Sequence, residues 1–314
     1  MPSLLGLPRE IRNIIINDVV QSSRCEAPWV AGANHSPAAG AQRIQFEDTL
    51  WKRSGNLVYF EGSPNAFKSP AFGLLGTCHQ LRAETLDCVS KTKVPYVLDL
   101  LIIDDESIWA TWLSIPPMKS SIIETLEIKV RFQQTRYFFD YEPFLGRDWF
   151  SEQLMRIIHR VMTLGSSPPC PSAEHRLRKG FWGHHELSDV NPVYEYIPHH
   201  IIRRLIVDFA GAVRVGIETD LQTLRPKMDP SAFTGACKKR LRKEAVISAF
   251  TEYFKGPNGN CFQERVGGYQ IFLAGECVED CHDLEVSMKR TATIHSHFSK
   301  MIPSIQEVRR RNGL

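Results

Sequence analysis

The residues best spaced to hold a metal ion are Cys277, Cys281 and His282, a Cys-x3-Cys-His run with Cys261 or His295 available as a fourth ligand. Thiolates and imidazoles suit zinc, but structural zinc sites draw on tightly spaced ligand pairs, and no second cysteine pair stands in the chain. Unconnected cysteines beside a hairpin fit better, so no metal is expected. Adjacent histidines occur at His184-His185 and His199-His200. Neighbouring side chains diverge, and these read as solvated or boundary residues. Neither the Gly-x-Ser-x-Gly nucleophile turn nor a phosphate-binding or dinucleotide-binding glycine motif is present. An active site would have to assemble from scattered residues, and the expectation is a non-enzymatic chain without a cofactor.

The sharpest charge run is Lys238, Lys239, Arg240, Leu241, Arg242 and Lys243, and Arg309-Arg310-Arg311 closes the sequence. Lys238, Lys239, Arg240, Arg242 and Lys243 are a nuclear-import candidate; the alternative is the solvated side of a helix with Leu241 inward. Six consecutive helical residues point around most of the circumference, which fits poorly with one flat phosphate-binding face. Tyr137-Phe138-Phe139-Asp140-Tyr141, with Phe144, concentrates aromatics that either pack a long connection onto the core or form a recognition patch.

Two apolar helices organise the N-terminal third. In the first, Pro8 suits the opening turn and Glu10 the positive helix start. Leu7, Ile11, Ile14, Ile15 and Val19 recur at helical spacing, with Arg9, Arg12, Asn13 and Asp18 on the other side and Ile16 off the stripe. Ser69-Pro70 opens the second, predicted to bury Leu74, Leu75, Cys78, Leu81, Leu86 and Val89. Between them, 24–42 reads as a loop and Arg43–Phe60 as a β-hairpin turning at Ser54-Gly55-Asn56.

Leu7-Pro8-x-Glu10-Ile11-Arg12-x-x-Ile15, followed by Leu75-x-x-Cys78-x-Gln80-Leu81-Arg82, resembles a large class of fungal F-box-like proteins. It is also similar to the related fungal module named for two Glu-X-Arg motifs. Glu10-Ile11-Arg12 supplies the first motif, whereas Gln80-Leu81-Arg82 carries Gln where the second has Glu. The resemblance covers residues 4–90. It implies a substrate adaptor of a cullin ubiquitin ligase, in which Leu7, Pro8, Glu10, Ile11 and Ile15 meet a Skp-type linker. The alternative is a stand-alone scaffold or interaction protein in which the same helices turn inward as core.

After residue 92 the pattern changes. Val94–Ile103 reads as a buried strand, Ser107–Leu113 as a short helix burying Ile108, Trp109, Trp112 and Leu113, and Leu126–Phe132 as a half-exposed strand. Phe150, Leu154, Ile157, Ile158, Val161 and Leu164 stripe a helix capped by Asp148 and ended by Gly165. The region 165–198 reads as a long surface loop. Ile201–Phe209 reads as a strand, which Val213–Ile217 extends or pairs with. Pro230–Phe254 reads as a long helix, Gly267-Gly268 as a turn into Tyr269–Leu273, and the end as one or two helices. Val97-x-x-Leu100-x-Ile102, Ile123-x-x-Leu126-x-Ile128 and Ile202-x-x-Leu205-x-Val207 match the strand of a leucine-rich repeat, without its turning asparagine. An irregular repeat-like sheet and an ordinary mixed α/β sheet both remain open.

Length and composition frame these pieces. A chain of 314 residues with 43% hydrophobic and 23% charged residues can bury a full core. A net charge of +3 argues against a surface built to hold nucleic acid. Eight cysteines without a framework, no signal-peptide pattern ahead of the Leu-Pro helix, and no apolar run of membrane length predict a soluble cytoplasmic or nuclear protein. The expected fold class is α+β: residues 1–92 as F-box-like helices with an inserted hairpin, then residues 93–314 as a mixed or irregular leucine-rich-repeat-like α/β region for protein partners.

Overall fold

The computed structural model describes residues 4–24, 43–45, 57–61, 64–103, 107–117, 121–134, 149–166, 200–214, 260–273, 275–285 and 302–314. It is a mixed α+β architecture. Helices α1 (Arg9–Gln21), α2 (Phe72–Leu75) and α3 (His79–Lys91) build the N-terminal part. An eight-stranded sheet follows, formed by β1 (Arg43–Gln45), β2 (Leu57–Glu61), β3 (Tyr96–Ile103), β4 (Ser107–Ser114), β5 (Ile122–Gln134), β6 (Ile201–Arg214), β7 (Val266–Leu273) and β8 (Glu276–Cys281). Three further helices are α4 (Trp149–Leu164), α5 (Asn260–Arg265) and α6 (Ile302–Arg311). Among the described residues no helix is long and apolar enough to cross a membrane.

The strand order is β1-β2-β4-β3-β5-β6-β7-β8. The inner run β3-β5-β6-β7 is parallel, and antiparallel strands flank it. The register explains the core. Tyr96, Leu126, Leu205 and Tyr269 are successive cross-strand partners, and so are Leu98, Ile128, Val207 and Ile271. All eight are buried, and they share one cluster with Leu154, Ile157, Ile158 and Val161 of α4. Alternate side chains of a strand face one side, so the expected helix stripe lands on one continuous apolar face. Gly165 ends α4 in the left-handed region at φ 62°, as its sequence position predicts.

The three repeat-like strand motifs do not share one register. Ile123, Leu126 and Ile128 of β5 stand opposite Ile202, Leu205 and Val207 of β6, and the same rungs continue to Val266, Tyr269 and Ile271 of β7. On β3, however, Leu100 stands opposite Val130, four residues beyond Leu126. The strand pair expected as a hairpin is antiparallel, with Arg43 opposite Glu61, and β2 then runs parallel to β4. It forms one border of the same sheet.

Three predicted elements come out differently. Ser107–Leu113 is strand β4, every residue of it buried, and not a helix. A strand covered on both faces loses its alternation, so periodicity could not separate it from a buried helix. The second N-terminal helix is broken: Gly76 and Thr77 intervene and Cys78 is extended (φ −140°, ψ 165°) before α3 begins. Gly267 and Gly268 lie inside β7 and make no turn. A Cβ at Gly267 would stand 2.5 Å from the Arg203 carbonyl oxygen, and one at Gly268 2.5 Å from that of Cys281, so both glycines answer a close backbone approach.

Two buried arginines tie elements together. Arg131 of β5 grips Asp99 of β3 through Nε–Oδ1 at 2.7 Å and Nη2–Oδ2 at 2.6 Å. Arg309 of α6 donates Nη1 to the carbonyls of Gln263 at 2.5 Å and Val266 at 2.7 Å, and so satisfies the open end of α5. Arg310 and Arg311, its neighbours in the basic terminal run, are exposed and paired with Glu307. Within the run, Arg309 is thus buried and structural, while Arg310 and Arg311 lie on the surface. Removing one partner of a buried ion pair leaves a stranded charge, at a cost of about 3–5 kcal/mol. Arg131→Met is expected to lower the unfolding free energy from urea titration by that order, and adding Asp99→Leu to recover part of the loss. A single variant that melts like the parent would contradict the role given to this pair.

Candidate functional site

The site is built on α1. Pro8 precedes it with φ −51°, which its ring imposes, and an extended ψ of 147°, and its carbonyl accepts the Arg12 N–H at 3.1 Å. Glu10 lies in the first turn, where a carboxylate complements the helix dipole. The helix ends when Ser22 turns extended (φ −60°, ψ 131°) and donates its N–H and hydroxyl to the Val19 carbonyl.

The buried face of α1 is not its apolar stripe, so of the two alternatives the stripe is not turned inward as a whole. Arg12, Ile16 and Val20, four residues apart, point inward. Ile16 and Val20 pack with Ala71 and Leu81, and Val19, Leu74, Cys78 and Val89 border them. Ile11 and Ile14 point outward and remain 44% and 58% exposed. Pro8 and Glu10 are exposed, and Leu7 and Ile15 half-buried. Leu5, in the 3-10 turn Leu4–Gly6 ahead of the helix, is 42% exposed. Of the five predicted partner-binding residues, three thus lie open to solvent and two at the margin of the packing.

This inversion follows from a pairing the sequence did not advertise. Arg12 is buried and meets Glu84 of α3 in a two-pronged ion pair, Nε to Oε2 at 2.9 Å and Nη2 to Oε1 at 2.6 Å. Its Nη1 donates to the carbonyls of Leu7 at 2.5 Å and Leu5 at 3.4 Å. One guanidinium therefore joins the turn before α1, α1 itself and α3. Gln80 donates to Glu84 Oε1 at 3.1 Å. Glu84, one helical turn beyond Gln80, thus supplies the carboxylate that meets Arg12, and Gln80 supports it. A carboxylate one turn beyond Gln80 on the same predicted helix was the available signal.

The hydrogen bond from Arg12 holds the Glu84 carboxyl down to about 2. A depressed carboxylate adds stability that is fully present above its ordinary range near 4.3 and lost as pH falls through the folded value. The contribution of this pair therefore disappears between about pH 4.5 and pH 2.

The remaining candidates do not converge. Cys277 and Cys281 are reduced, the Cys277 thiol approaches the Glu279 carbonyl at 3.5 Å, and His282 Nε2 lies 3.1 Å from Asp280. Among the described residues no three His, Cys, Asp or Glu side chains group as metal ligands. The Cys261 side chain, His295, His184, His185, His199, the nuclear-import candidates Lys238, Lys239, Arg240, Arg242 and Lys243, and the Tyr137–Phe144 segment lie outside what is described. His200 is half-buried beside α4, its N–H on the Met162 carbonyl, and burial lowers its pKa. No protein-family model, curated protein or solved structure matches this chain.

Two outcomes check this geometry. Ile16→Asp puts a charge in the packed face and is expected to abolish cooperative folding of the helical part, whereas Ile11→Asp changes stability by about 0.5 kcal/mol or less. Equal destabilisation by both, followed by thermal melting, would contradict the assignment of faces. Glu84→Gln is expected to remove much of the acid sensitivity of melting between pH 5 and pH 2; a wild-type profile unchanged by the substitution would show that the ion pair adds nothing.

Proposed function

We propose that the protein is a non-enzymatic protein-interaction module, an F-box-type substrate adaptor of a cullin ubiquitin ligase. The ridge of Leu5, Pro8, Ile11 and Ile14 seats on a Skp-type linker, and the region after residue 93 holds the protein to be ubiquitylated. The observation that supports this reading is the outward apolar face of α1: Ile11 and Ile14 stay open although the helix has a separate packed face. Fully burying an isoleucine contributes about 1.5–3 kcal/mol, so covering two half-open ones would add about the same, 1.5–3 kcal/mol, to a docking surface. Arg12 serves the ridge by fixing the Leu5–Leu7 backbone against α3.

A second reading draws on the insertion between the two helices. The chain between α1 and α2 contains β1 and β2, which belong to the sheet. That supports a stand-alone scaffold whose ridge binds some other protein. Co-expression with a Skp-type linker separates the two. The adaptor reading predicts a stable complex on size exclusion, lost in the Ile11→Asp/Ile14→Asp double variant while that variant still melts cooperatively. A folded wild-type protein that forms no complex, or a complex indifferent to the double variant, would overturn it.

A further inference from the structure

We propose a second contact beside the ridge: a cationic cleft at the C-terminal end of α1 that takes an acidic segment of the protein docked on that helix. The inference rests on the docking reading above and adds the chemistry of the partner. The cleft has a volume of about 430 Å³ and is open to solvent. Its wall is made by Ser22, Ser23 and Arg24 on one side and Lys68, Ser69 and Phe72 on the other. Asn65, Pro70 and Gly73 complete it, and among the described residues no carboxylate lines it.

Arg24 is a fixed cation here. Its Nη2 donates to the carbonyls of Asn65 and of Lys68, the latter at 3.0 Å, which anchors the guanidinium without neutralising it. Backbone carbonyls hold an arginine in place but leave its net charge unpaired. Lys68 stands with its ammonium 5.6 Å from the centre of the Phe72 ring, and among the described residues no carboxylate pairs with it. Phe72 is 59% exposed, the most open of the large apolar side chains described. Two cations, hydroxyl donors and an aromatic wall fit a short segment carrying carboxylates beside an apolar residue.

Helical spacing links the cleft to the ridge. Ile11, Ile14, Asp18 and Ser22 succeed one another at three and four residues, so one strip of the α1 surface runs from the exposed isoleucines to the cleft wall. Asp18 on that strip, and the carbonyls ending α1, oppose an anion, so the attraction comes from Arg24 and Lys68. Two cations do not make the stripe that a nucleic-acid backbone requires, which favours a peptide.

The test uses the full chain and a fluorescent peptide rich in Asp and Glu around one Phe, read by anisotropy at low salt. The expected result is saturable binding that weakens with added salt, is about tenfold poorer in Lys68→Glu and in Ser23→Glu (about 1.4 kcal/mol by the affinity relation), and survives in Lys68→Arg. Both substituted positions are exposed, so folding is not at stake as it is for Arg24. Ile11→Asn/Ile14→Asn, which adds no charge to the strip, should leave this peptide's binding unchanged, which separates failure here from failure of the ridge to bind a Skp-type linker. Equal binding of a peptide with Asn and Gln in place of the acids, no binding of the acidic peptide, indifference to Lys68→Glu, or binding to phosphatidylserine vesicles in place of the peptide would each overturn the proposal.

Discussion

The helical part of the molecule depends on one ion pair between Arg12 and Glu84. A short helix is not stable in isolation and needs a partner surface. The apolar contact available to α1 is small, chiefly Ile16 and Val20 against Ala71 and Leu81. The guanidinium adds what this contact lacks, namely direction. Its planar fork accepts one orientation of the carboxylate, and its remaining donors reach the carbonyls of Leu5 and Leu7. Rotating α1 to bury Ile11 and Ile14 instead would carry Arg12 out of reach of Glu84. The exposed isoleucines are therefore a consequence of where the charge is satisfied.

The sheet is governed by a different constraint, the parallel register of β3, β5, β6 and β7. Each rung places one apolar residue per strand against the next, and α4 closes the face. Asp99 and Arg131, also buried, satisfy each other on adjoining strands. The same device thus appears twice: a buried bidentate pair links elements far apart in sequence, once between helices and once between strands. Such pairs add little net stability compared with apolar packing, but they penalise any arrangement that separates them.

Much of this was legible in the sequence. The strands around Val97, Leu126 and Ile201 and the helix at Leu154–Val161 announced themselves through composition, alternation and a helical stripe, although the second begins four residues earlier, at Ile122. Gly165 marked its own conformation. What failed did so for physical reasons. Ser107–Ser114 is buried on both sides, so its periodicity vanished. Gly267 and Gly268 look like a turn, but their role is set by carbonyls of adjoining strands that no local reading contains. On α1, the apolar stripe left open which face is packed, and the packed one is led by Arg12, a residue grouped with the polar side. Hydrophobicity alone cannot foresee a cation that enters the interior with its partner 72 residues away. The motif positions themselves were visible; their directions were not.

Docking on the outward face of α1 would leave a local signature in backbone exchange. Hydrogen–deuterium exchange of the intact protein, with and without a saturating Skp-type linker, measures it at the residues concerned. Docking there predicts added protection over residues 5–14, with the strands β5 and β6 unchanged. Unaltered exchange across 5–14 in the presence of the linker, or protection confined to the sheet, would contradict it.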